Sequence, residues 1–484
     1  MHARPLHRAM ACAFVLAVLS LPSAADAATV PPGMFGMNDW TPPTEEAMIA
    51  TSEQGVRTWR AALFWYLIER EQGVRDWSEY DALVAAAARR DTSLLMVIAS
   101  CPAWACPDLS GPPRGDALTA HHDFVRDALS RYGSGGSFWS AHPELPYRPV
   151  TDWQVWNEVN ATEFWKPGPD AEDYAEFLRA EAAVIRAADP HATVVLSGLT
   201  DYGQVGAAEF LDSLYTQPGF TASFDVLAMH AYARDEGAVG GLLDRFRAVS
   251  ERHGDAARRL WITEIGWATA RPGAPTTASP ETQAARLRSS FDMLLSCRER
   301  WGLDRAYWFA YKDFAVPEGQ PDLPGYHTGL LDVEGRPKPA WGALSEYAEG
   351  APLGAGASRP CAASAGGSGF PPDTRVHGRR RARPGTRARF RLRASVRRVH
   401  FECRLHRVSR RGRQAVHGHG AWRSCRRSFR TPRLRRGLYV VSARAVDRAG
   451  RADPTPAARR VRVRMRAGRH TGRAHRRDLW TRRR

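Results

Sequence analysis

Short apolar runs alternate with longer amphipathic segments throughout residues 33–350. Eight runs rich in β-branched and aromatic residues predict strands, and helical periodicity fills the intervals between them. Strands that alternate with helices pack as a parallel sheet, and eight such units close into a (β/α)8 TIM barrel, an α/β fold. The predicted strands are 34–40, 56–65, 94–100, 153–158, 193–199, 224–232, 260–267 and 306–313.

Capping residues mark the starts of several predicted helices. Ser279-Pro280-Glu281 supplies a capping hydroxyl, a first-turn proline and an acidic side chain. Asp170 can cap the helix that follows it in the same way. We expect His121 and His122, which fall within a predicted helix, to face solvent. The predicted helices are 78–90, 116–131, 170–188, 207–216, 239–252, 280–300 and 339–348.

The two parts of the chain differ sharply in charge. The net charge is +18, but residues 371–484 contain 38 arginines, no lysine and only five acidic residues. Residues 1–370 hold 31 basic and 46 acidic residues. With 43% hydrophobic residues, the chain is neither disordered throughout nor collagen-like. The overall charge therefore says little about what the barrel binds, and it predicts no sequence-specific contact with nucleic acid.

Local composition predicts the domain organisation. Two arginines, a short apolar run and Ala25-Asp26-Ala27 are typical of a secretory signal peptide over residues 1–27. The apolar run is too short to span a bilayer, so we expect a secreted, extracellular protein without a transmembrane segment. Four further regions are expected: the TIM-barrel domain 28–350, a linker 351–372 rich in Ala, Gly, Ser and Pro, a β-sandwich domain 373–465 and a disordered basic tail 466–484. Within the sandwich the predicted strands are 388–394, 397–405, 436–446 and 459–465.

Six cysteines remain after the predicted signal peptide, as expected for disulfides in an oxidising compartment. Cys101 and Cys106 are close enough along the chain for a local bridge, and Cys403 and Cys425 both lie in the basic region. Cys297 is then left to pair with Cys361, although other pairings stay open. No cysteine pair or histidine lies at zinc-ligand spacing, so we expect no metal.

Two carboxylates stand at the ends of predicted strands. Glu158 ends the fourth strand, and Glu264 lies near the end of the seventh. Because the carboxyl ends of barrel strands meet at one face, we expect both side chains in one cleft. Hydrolysis of a glycosidic bond requires such a pair, one protonated to donate to the leaving oxygen and one ionised to attack the sugar. Apolar walls favour the protonated form of one, and each negative charge opposes the other.

The order of motifs over residues 33–350 resembles that of clan A glycoside hydrolases. In that clan the acid/base is the Glu of an Asn-Glu pair after the fourth strand, and the nucleophile is a Glu after the seventh. The resemblance therefore implies that Glu158 is the acid/base and Glu264 the nucleophile. It also implies that Arg60 orients the nucleophile, that Asn157 holds the sugar 2-hydroxyl and that Tyr232 hydrogen-bonds the nucleophile.

Several further residues match the clan. His230 begins the His-x-Tyr motif, Trp104 lies in a Pro-x-Trp loop, and Trp308 resembles the aromatic that floors the sugar subsite. Asn38 is a further candidate for contact with sugar. The Trp-rich fourth strand looks most like family 39 or neighbouring family 5 enzymes. Also similar are Trp65, Glu69, Gly73, Trp77 and Asp81 and the closing segments 329–332 and 338–340.

Some assignments have structural alternatives. The two glutamates could form salt bridges in the barrel mouth, Arg60 could pair with another barrel acid, and His230 could be a core histidine. The looser stacking candidates Trp153, Trp156, Trp165 and Trp267 could equally belong to the core, as could Tyr232 and Trp308. Segments 401–405, 422–425 and 443–450 resemble an immunoglobulin-like module of secreted bacterial proteins, with arginine where such modules have acidic and polar residues.

The sequence thus predicts a secreted, retaining glycoside hydrolase that cleaves oligo- or polysaccharides with two glutamates and no metal or organic cofactor. The alternative is a non-catalytic glycan-binding or cell-wall-binding protein anchored by its basic C-terminal module. That module could hold an anionic cell-wall or surface polymer, or its composition could be an arginine bias without a partner. The sugar, the linkage, endo or exo action and the oligomeric state stay open.

Overall fold

The computed structural model describes residues 28–270, 276–361, 374–379, 381–394, 399–408, 422–446 and 457–464. The chain divides into two compact units, Met1–Cys361 and Ala362–Arg484. The predicted signal peptide, residues 362–372 of the predicted linker and the basic tail lie outside the described residues. Residues 351–361 belong to the first unit, where Thr29 forms a β-bridge with Pro352.

The first unit is a closed parallel barrel. Its strands are β1 Phe35–Asn38, β2 Thr58–Phe64, β3 Ser93–Ala99, β4 Asp152–Val155, β5 Thr193–Val195, β6 Leu199–Thr200, β7 Val226–His230, β8 Arg259–Ile265 and β9 Leu303–Phe309. They pair in the order β5-β4-β3-β2-β1-β9-β8-β7-β6, and a pairing of β5 with β7 closes the ring. The predicted (β/α)8 barrel is confirmed. Each predicted strand is present, the fifth being split into β5 and β6 at Gly198.

Helices surround the barrel. They are α1 Glu45–Glu53, α2 Trp65–Ile68, α3 Ser78–Arg89, α4 Asp116–Tyr132, α5 Ser137–Ala141, α6 Ala171–Ala188, α7 Ala207–Leu214, α8 Glu236–Arg252, α9 Pro280–Trp301 and α10 Pro339–Leu344. Ser279 caps α9 by accepting a hydrogen bond from the Thr282 backbone N–H, and Asp170 caps α6 at Glu172 and Asp173. Among the described residues, no helix combines the length and apolar character needed to cross a bilayer.

Helix α6 fixes the end of β4, the strand that leads to Glu158. Its buried residues Tyr174, Phe177, Leu178 and Ile185 face the barrel. The Tyr174 hydroxyl donates to the Val155 carbonyl over 3.0 Å and accepts from the Ser197 backbone N–H over 3.0 Å. One side chain therefore holds the ends of two neighbouring strands at the open face of the barrel.

The second unit is a β-sandwich, as predicted. Its strands are β10 Thr374–Gly378, β11 Arg381–Ala382, β12 Arg389–Ala394, β13 His400–Val408, β14 Arg423–Cys425, β15 Ser428–Arg430, β16 Gly437–Val446 and β17 Ala457–Val463. A three-stranded antiparallel sheet has the order β10-β12-β15, and a five-stranded sheet has the order β11-β17-β16-β13-β14. Phe390 and Leu392 from the first share one core with Val441 and Val461 from the second. Strands β10, β11, β14 and β15 fall outside the predicted strands.

Three disulfides join the cysteine pairs that the sequence analysis favoured. Cys101 bonds to Cys106 and Cys297 to Cys361 in the first unit. Cys403 bonds to Cys425 in the second unit. The Cys297–Cys361 bridge links α9 to the last residue of the first unit.

Candidate active site

Both predicted catalytic glutamates lie at the carboxyl ends of barrel strands. After β4 ends at Val155, the backbone turns sharply, since Trp156 has a φ of 67° and Glu158 a φ of 42°. Left-handed backbone in large side chains is costly and concentrates at functional sites. Glu264 lies on β8, where a register shift after Met229 sets His230 opposite it. One oxygen of Glu158 and one of Glu264 lie within 4.8 Å of each other.

Arg60 joins three polar groups beneath the cleft. Its Nη1 donates to Glu264 Oε1 over 2.8 Å, and its Nη2 donates to Asn157 Oδ1 over 2.7 Å. The third donor, Nε, contacts Gln154 Oε1 at 2.7 Å, and Gln154 in turn donates to the Leu196 carbonyl. Arg60 is only 4% exposed. This forked, buried clamp sets the orientation of the Glu264 carboxylate.

The two oxygens of Glu264 have different partners. The Tyr232 hydroxyl donates to Oε2 over 2.6 Å, while Oε1 faces Arg60. His230 lies between the two glutamates, with Nδ1 at 2.7 Å from Glu158 Oε1 and Nε2 at 3.4 Å from Glu264 Oε1. Burial lowers the pKa of His230 to about 3, so the ring is neutral at neutral pH.

Glu158 has the environment of a carboxyl group that keeps its proton. It is 2% exposed, and burial raises its pKa to about 7. The hydroxyl of Tyr202 donates to Oε1 over 2.5 Å and opposes that shift. Tyr202 was not among the predicted site residues, and its side chain is 62% exposed at the mouth of the cleft. Although most of the residue is exposed, its hydroxyl lies against the buried Glu158, and this local burial together with the charges of the two glutamates raises the pKa of Tyr202 far above its ordinary value. The hydroxyl therefore stays protonated.

The break between β5 and β6 makes room for His230. A Cβ on Gly198 would overlap the His230 ring and would crowd Thr263 Oγ1. Asn160 holds the segment after β6, because its amide donates to the Thr200 and Val205 carbonyls and accepts from the Thr200 backbone N–H. That segment carries Tyr202. Neither Gly198 nor Asn160 was predicted, since a single glycine or asparagine after an Asn-Glu pair gives no signal by itself.

Two aromatic residues lie at the end of β9, and the one predicted to contact sugar is not the one that faces the cleft. Trp308 was predicted to floor the sugar subsite, but it is 0% exposed and packs against Phe291 and Trp267 on the helix side of the barrel. Its indole N–H donates to the Thr328 carbonyl. Strand alternation turns the next residue, Phe309, the other way, with its ring 6.4 Å from that of Tyr232. The structure therefore places Phe309, and not Trp308, beside the glutamates.

Asn38 and Trp104 have different surroundings. Asn38 pairs in register with Arg60 and Phe309, and its buried Nδ2 has no hydrogen-bond partner among the described residues. Its contact with sugar stays a prediction. Trp104 instead donates to the Glu69 carbonyl over 2.8 Å and packs edge-on against Trp65. These contacts hold the loop in place, and its contact with sugar stays a prediction.

The motif that begins at Trp65 is structural throughout. Glu69 is buried and accepts from the Trp65 indole, the Gly73 backbone and Arg75. Asp81 accepts hydrogen bonds from Arg131 and the Tyr132 hydroxyl. Buried core positions are also taken by the looser stacking candidates Trp153, Trp156, Trp165 and Trp267.

The expectation that His121 faces solvent is wrong. His121 is fully buried, and its Nδ1 lies 2.9 Å from Oε1 of Glu181, a buried residue on α6. Nε2 of His122 lies 3.2 Å from the same oxygen. The histidine carboxylate pair lies under Trp65 and Trp156, between α4 and α6. Glu181, sixty residues further along the chain, therefore provides the partner with which His121 lies on the buried side of α4.

Glu158, His230 and Glu264 also form a set of atoms that a cation could bind, since they lie within 4.8 Å of one another. The same oxygens already accept hydrogen bonds from Arg60, Tyr202 and Tyr232. A guanidinium 2.8 Å from Glu264 Oε1 would repel a metal ion placed there. The donor set fits a buried proton-transfer site better than a metal centre.

Fold and site together define a class: barrel proteins with a polar cleft built from the carboxyl ends of the strands, where barrel enzymes place their catalytic groups. A scan against protein-family models and a search of curated proteins found no match. A search of solved structures found similar chains.

Three of these structures are glycosidases. A family 39 glycoside hydrolase from Bacteroides cellulosilyticus is 18% identical, with 78% of this chain and 72% of that chain covered and a TM-score of 0.49. A glucosidase from Croceicoccus marinus is 16% identical, with coverages of 67% and 68% and a TM-score of 0.49. A GH5_18 enzyme from Streptomyces cattleya, in complex with GlcNAc, is 18% identical, with coverages of 66% and 80% and a TM-score of 0.49.

Proposed function

We propose that the protein is a glycoside hydrolase that retains the configuration of the anomeric carbon. The main support for this proposal is the distance between the two carboxylates, because one oxygen of Glu158 and one of Glu264 lie within 4.8 Å of each other. Retaining enzymes hold their two carboxyl groups ~5–5.5 Å apart, whereas inverting enzymes leave ~6.5–9.5 Å for a water molecule. A distance below 4.8 Å between the nearest oxygens agrees with the retaining arrangement and supports direct attack by one glutamate.

In the first step, the Glu264 carboxylate attacks the anomeric carbon and the bond to the leaving oxygen breaks. Glu158 gives its proton to that oxygen, which departs as an alcohol, and the sugar remains bound to Glu264 as an ester. In the second step, Glu158 takes a proton from water. The resulting hydroxyl attacks the anomeric carbon and frees Glu264, so that the configuration has been inverted twice and is retained.

The surroundings of the two glutamates support this division of roles. Burial raises the pKa of Glu158 to about 7, which keeps it protonated before the first step. Glu264 instead forms an ion pair with Arg60 and accepts the Tyr232 hydrogen bond. Asn157, held by Arg60, lies at the position where it can donate to a sugar hydroxyl beside Glu158.

The decisive experiment compares wild-type protein with Glu264→Gln and Glu158→Gln on a panel of aryl glycosides and polysaccharides. We expect release by the wild type, loss in both variants, and NMR of the product to show retained configuration. A 2-deoxy-2-fluoro glycoside of the active sugar should label Glu264. Glu176→Gln, on the exposed side of α6, is the matched control and should keep full activity. Inverted product would overturn the mechanism.

The alternative is a barrel that binds glycans without cleaving them. It predicts no turnover by the wild type on any substrate and glycan binding that survives Glu264→Gln. The aromatic residues around Phe309, with the half-exposed Trp40 stacked on Phe314, would then line a binding groove. The raised pKa of Glu158 favours the enzyme, because a binding site has no need of a protonated buried carboxyl group.

We propose also that the protein is exported. The predicted signal peptide and three disulfides support this location.

The order of motifs supports a place near families 39 and 5 of clan A. The two facing sheets of the second unit, bridged within one sheet by Cys403–Cys425, suit an immunoglobulin-like module. Detection of mature protein beginning after Ala27 in the culture medium tests the export proposal.

A further inference from the structure

The three-stranded sheet of the second unit has one apolar and one basic face. Strand β12 alternates exposed arginines with buried apolar residues, since Arg389, Arg391 and Arg393 face outward while Phe390 and Leu392 face the core. The strand register continues both faces from β12 onto its neighbours β10 and β15. Arg389 pairs with Arg430, Arg391 with Ser428 and His377, and Arg393 with Arg375. We call the exposed set the arginine face: Arg375, His377, Arg389, Arg391, Arg393, Ser428 and Arg430.

The arginine face places like charges directly opposite each other. Arg389 faces Arg430, and Arg393 faces Arg375, on neighbouring strands about 5 Å apart. Cross-strand pairs of like charge destabilise a sheet. Arg389, Arg391, Arg393 and Arg430 have no acidic partner within the part of the chain that the structure describes. An arrangement that is unfavourable in the free protein becomes favourable when a polyanion covers it.

In the five-stranded sheet of the same unit, two arginines have partners that offset their positive charge. Arg444 forms a 2.7 Å ion pair with Glu402. The Arg404 and Arg444 guanidinium groups also lie 4.5 Å from the Trp422 ring. Glu402 is the only acidic residue in the described part of this unit. Glu402 thus offsets a charge on the five-stranded sheet, whereas β12 carries its three exposed arginines in a regular alternation on one face.

We propose that the arginine face binds a carboxylated polysaccharide. Guanidinium groups form paired, parallel hydrogen bonds with carboxylates, and this basic region uses arginine without a single lysine. Arginines recur about 5 Å apart across the strands and about 7 Å apart along β12, so the exposed face offers a charge to each of several successive sugars.

Two other polyanions fit less well. Proteins that hold single-stranded nucleic acid stack its bases on aromatic side chains, but Phe390 and Phe429 both belong to the apolar face. A membrane surface is usually bound by apolar side chains that insert beside the basic ones, and the arginine face offers none. The choice of a polysaccharide rests in part on the proposed function of the barrel, which would bring its substrate or the surrounding matrix to the same chain.

The test uses the full chain with Glu264→Gln, so that no substrate is cleaved during the measurement. Binding to polygalacturonate is measured at 150 mM salt by calorimetry, beside neutral dextran and a DNA duplex of equal charge. We expect polygalacturonate to bind, dextran not to bind and DNA to bind more weakly. Tighter binding to DNA, or equal binding to dextran, would overturn the proposal.

Variants then locate the site. Replacement of Arg389, Arg391, Arg393 and Arg430 with Gln should weaken polygalacturonate binding by about 10-fold or more. The matched control removes the same charge elsewhere in the unit, at exposed Arg433, Arg435, Arg460 and Arg462, and should change binding by less than about 3-fold. Equal losses in the two variants would show that net charge alone is responsible and would refute a defined face. Because binding is measured without hydrolysis, its outcome is independent of whether the barrel proves to be an enzyme.

Discussion

Tyr202 donates a hydrogen bond to Glu158 over 2.5 Å although more than half of its side chain is exposed. The partner carboxyl group is almost completely buried. A residue whose surface is largely exposed thus places its hydroxyl on the atom that must release and recover a proton. A sugar that enters the cleft would meet Tyr202 first and would change the water around this hydrogen bond.

The pH dependence of activity should reflect the proton on Glu158. Its pKa of about 7 means that the acid form is lost as the pH rises above 7, so kcat/KM should fall on the alkaline side. The Tyr202 hydrogen bond lowers that pKa, and Tyr202→Phe should therefore move the alkaline limb to higher pH. Tyr147→Phe, which alters an equally exposed tyrosine, should leave the profile unchanged. A limb that does not move would show that Tyr202 does not tune Glu158.

Arg60→Lys should reduce kcat by about 100-fold with little change in KM. Lysine keeps the charge but cannot contact Glu264, Asn157 and Gln154 together, so the nucleophile loses its fixed orientation. The matched control is Arg75→Lys, which alters a partly buried guanidinium bound to Glu69 away from the cleft. Steady-state kinetics on an aryl glycoside measures both. A wild-type kcat in Arg60→Lys would mean that a positive charge alone, without the forked hydrogen bonds, orients Glu264 for catalysis.

Gly198→Ala should impair both activity and stability. Its new Cβ would overlap the His230 ring and push it against the two glutamates. Overpacking of this kind costs about 1–3 kcal/mol of the free energy of unfolding. Gly342→Ala, in α10 with open space around its Cα, is the control and should not destabilise the protein. Chemical denaturation gives the stability, and an unchanged midpoint for Gly198→Ala would contradict the packing described here.

Glu181→Gln should lower the free energy of unfolding by about 1–3 kcal/mol near neutral pH. Burial by itself would raise the pKa of Glu181, but His121 and His122 outweigh it and lower that pKa from 4.5 to about 2. A carboxyl group with a lowered pKa contributes stability above its unfolded pKa, and this contribution is lost as the pH falls from about 4.5 towards 2. The difference between wild type and variant should shrink over that interval. Glu176→Gln, on the exposed side of the same helix, should show no such pH-dependent difference.

Strand and helix periodicity in the sequence sufficed for the barrel, because most strand residues are buried and the strands therefore consist mainly of apolar residues. Asn157, Glu158, His230, Tyr232 and Glu264 were recognisable because they lie at or just after the ends of β4, β7 and β8. Arg60 lies inside β2 and was recognisable from the motif that contains it. Trp308 was placed on the wrong side of β9, since two adjacent aromatics give no signal about which one faces the barrel interior.

Other features depend on contacts that no local pattern contains. Tyr202 reaches Glu158 only because Asn160 holds the segment after β6. His121 is buried only because Glu181 comes to it from another helix. The short strands of the second unit were missed where arginines interrupt the apolar alternation by which strands are recognised.

The Cys297–Cys361 bridge has a mechanical consequence. Cys361 is the last residue of the first unit, and its sulfur is bonded to α9. If the second unit is held on a polymer while the barrel is pulled by flow, tension enters the first unit at Cys361. The disulfide passes that tension directly to α9. Strand β9 and helix α10, which lie between the two cysteines, are excluded from the loaded path and are not unravelled by it.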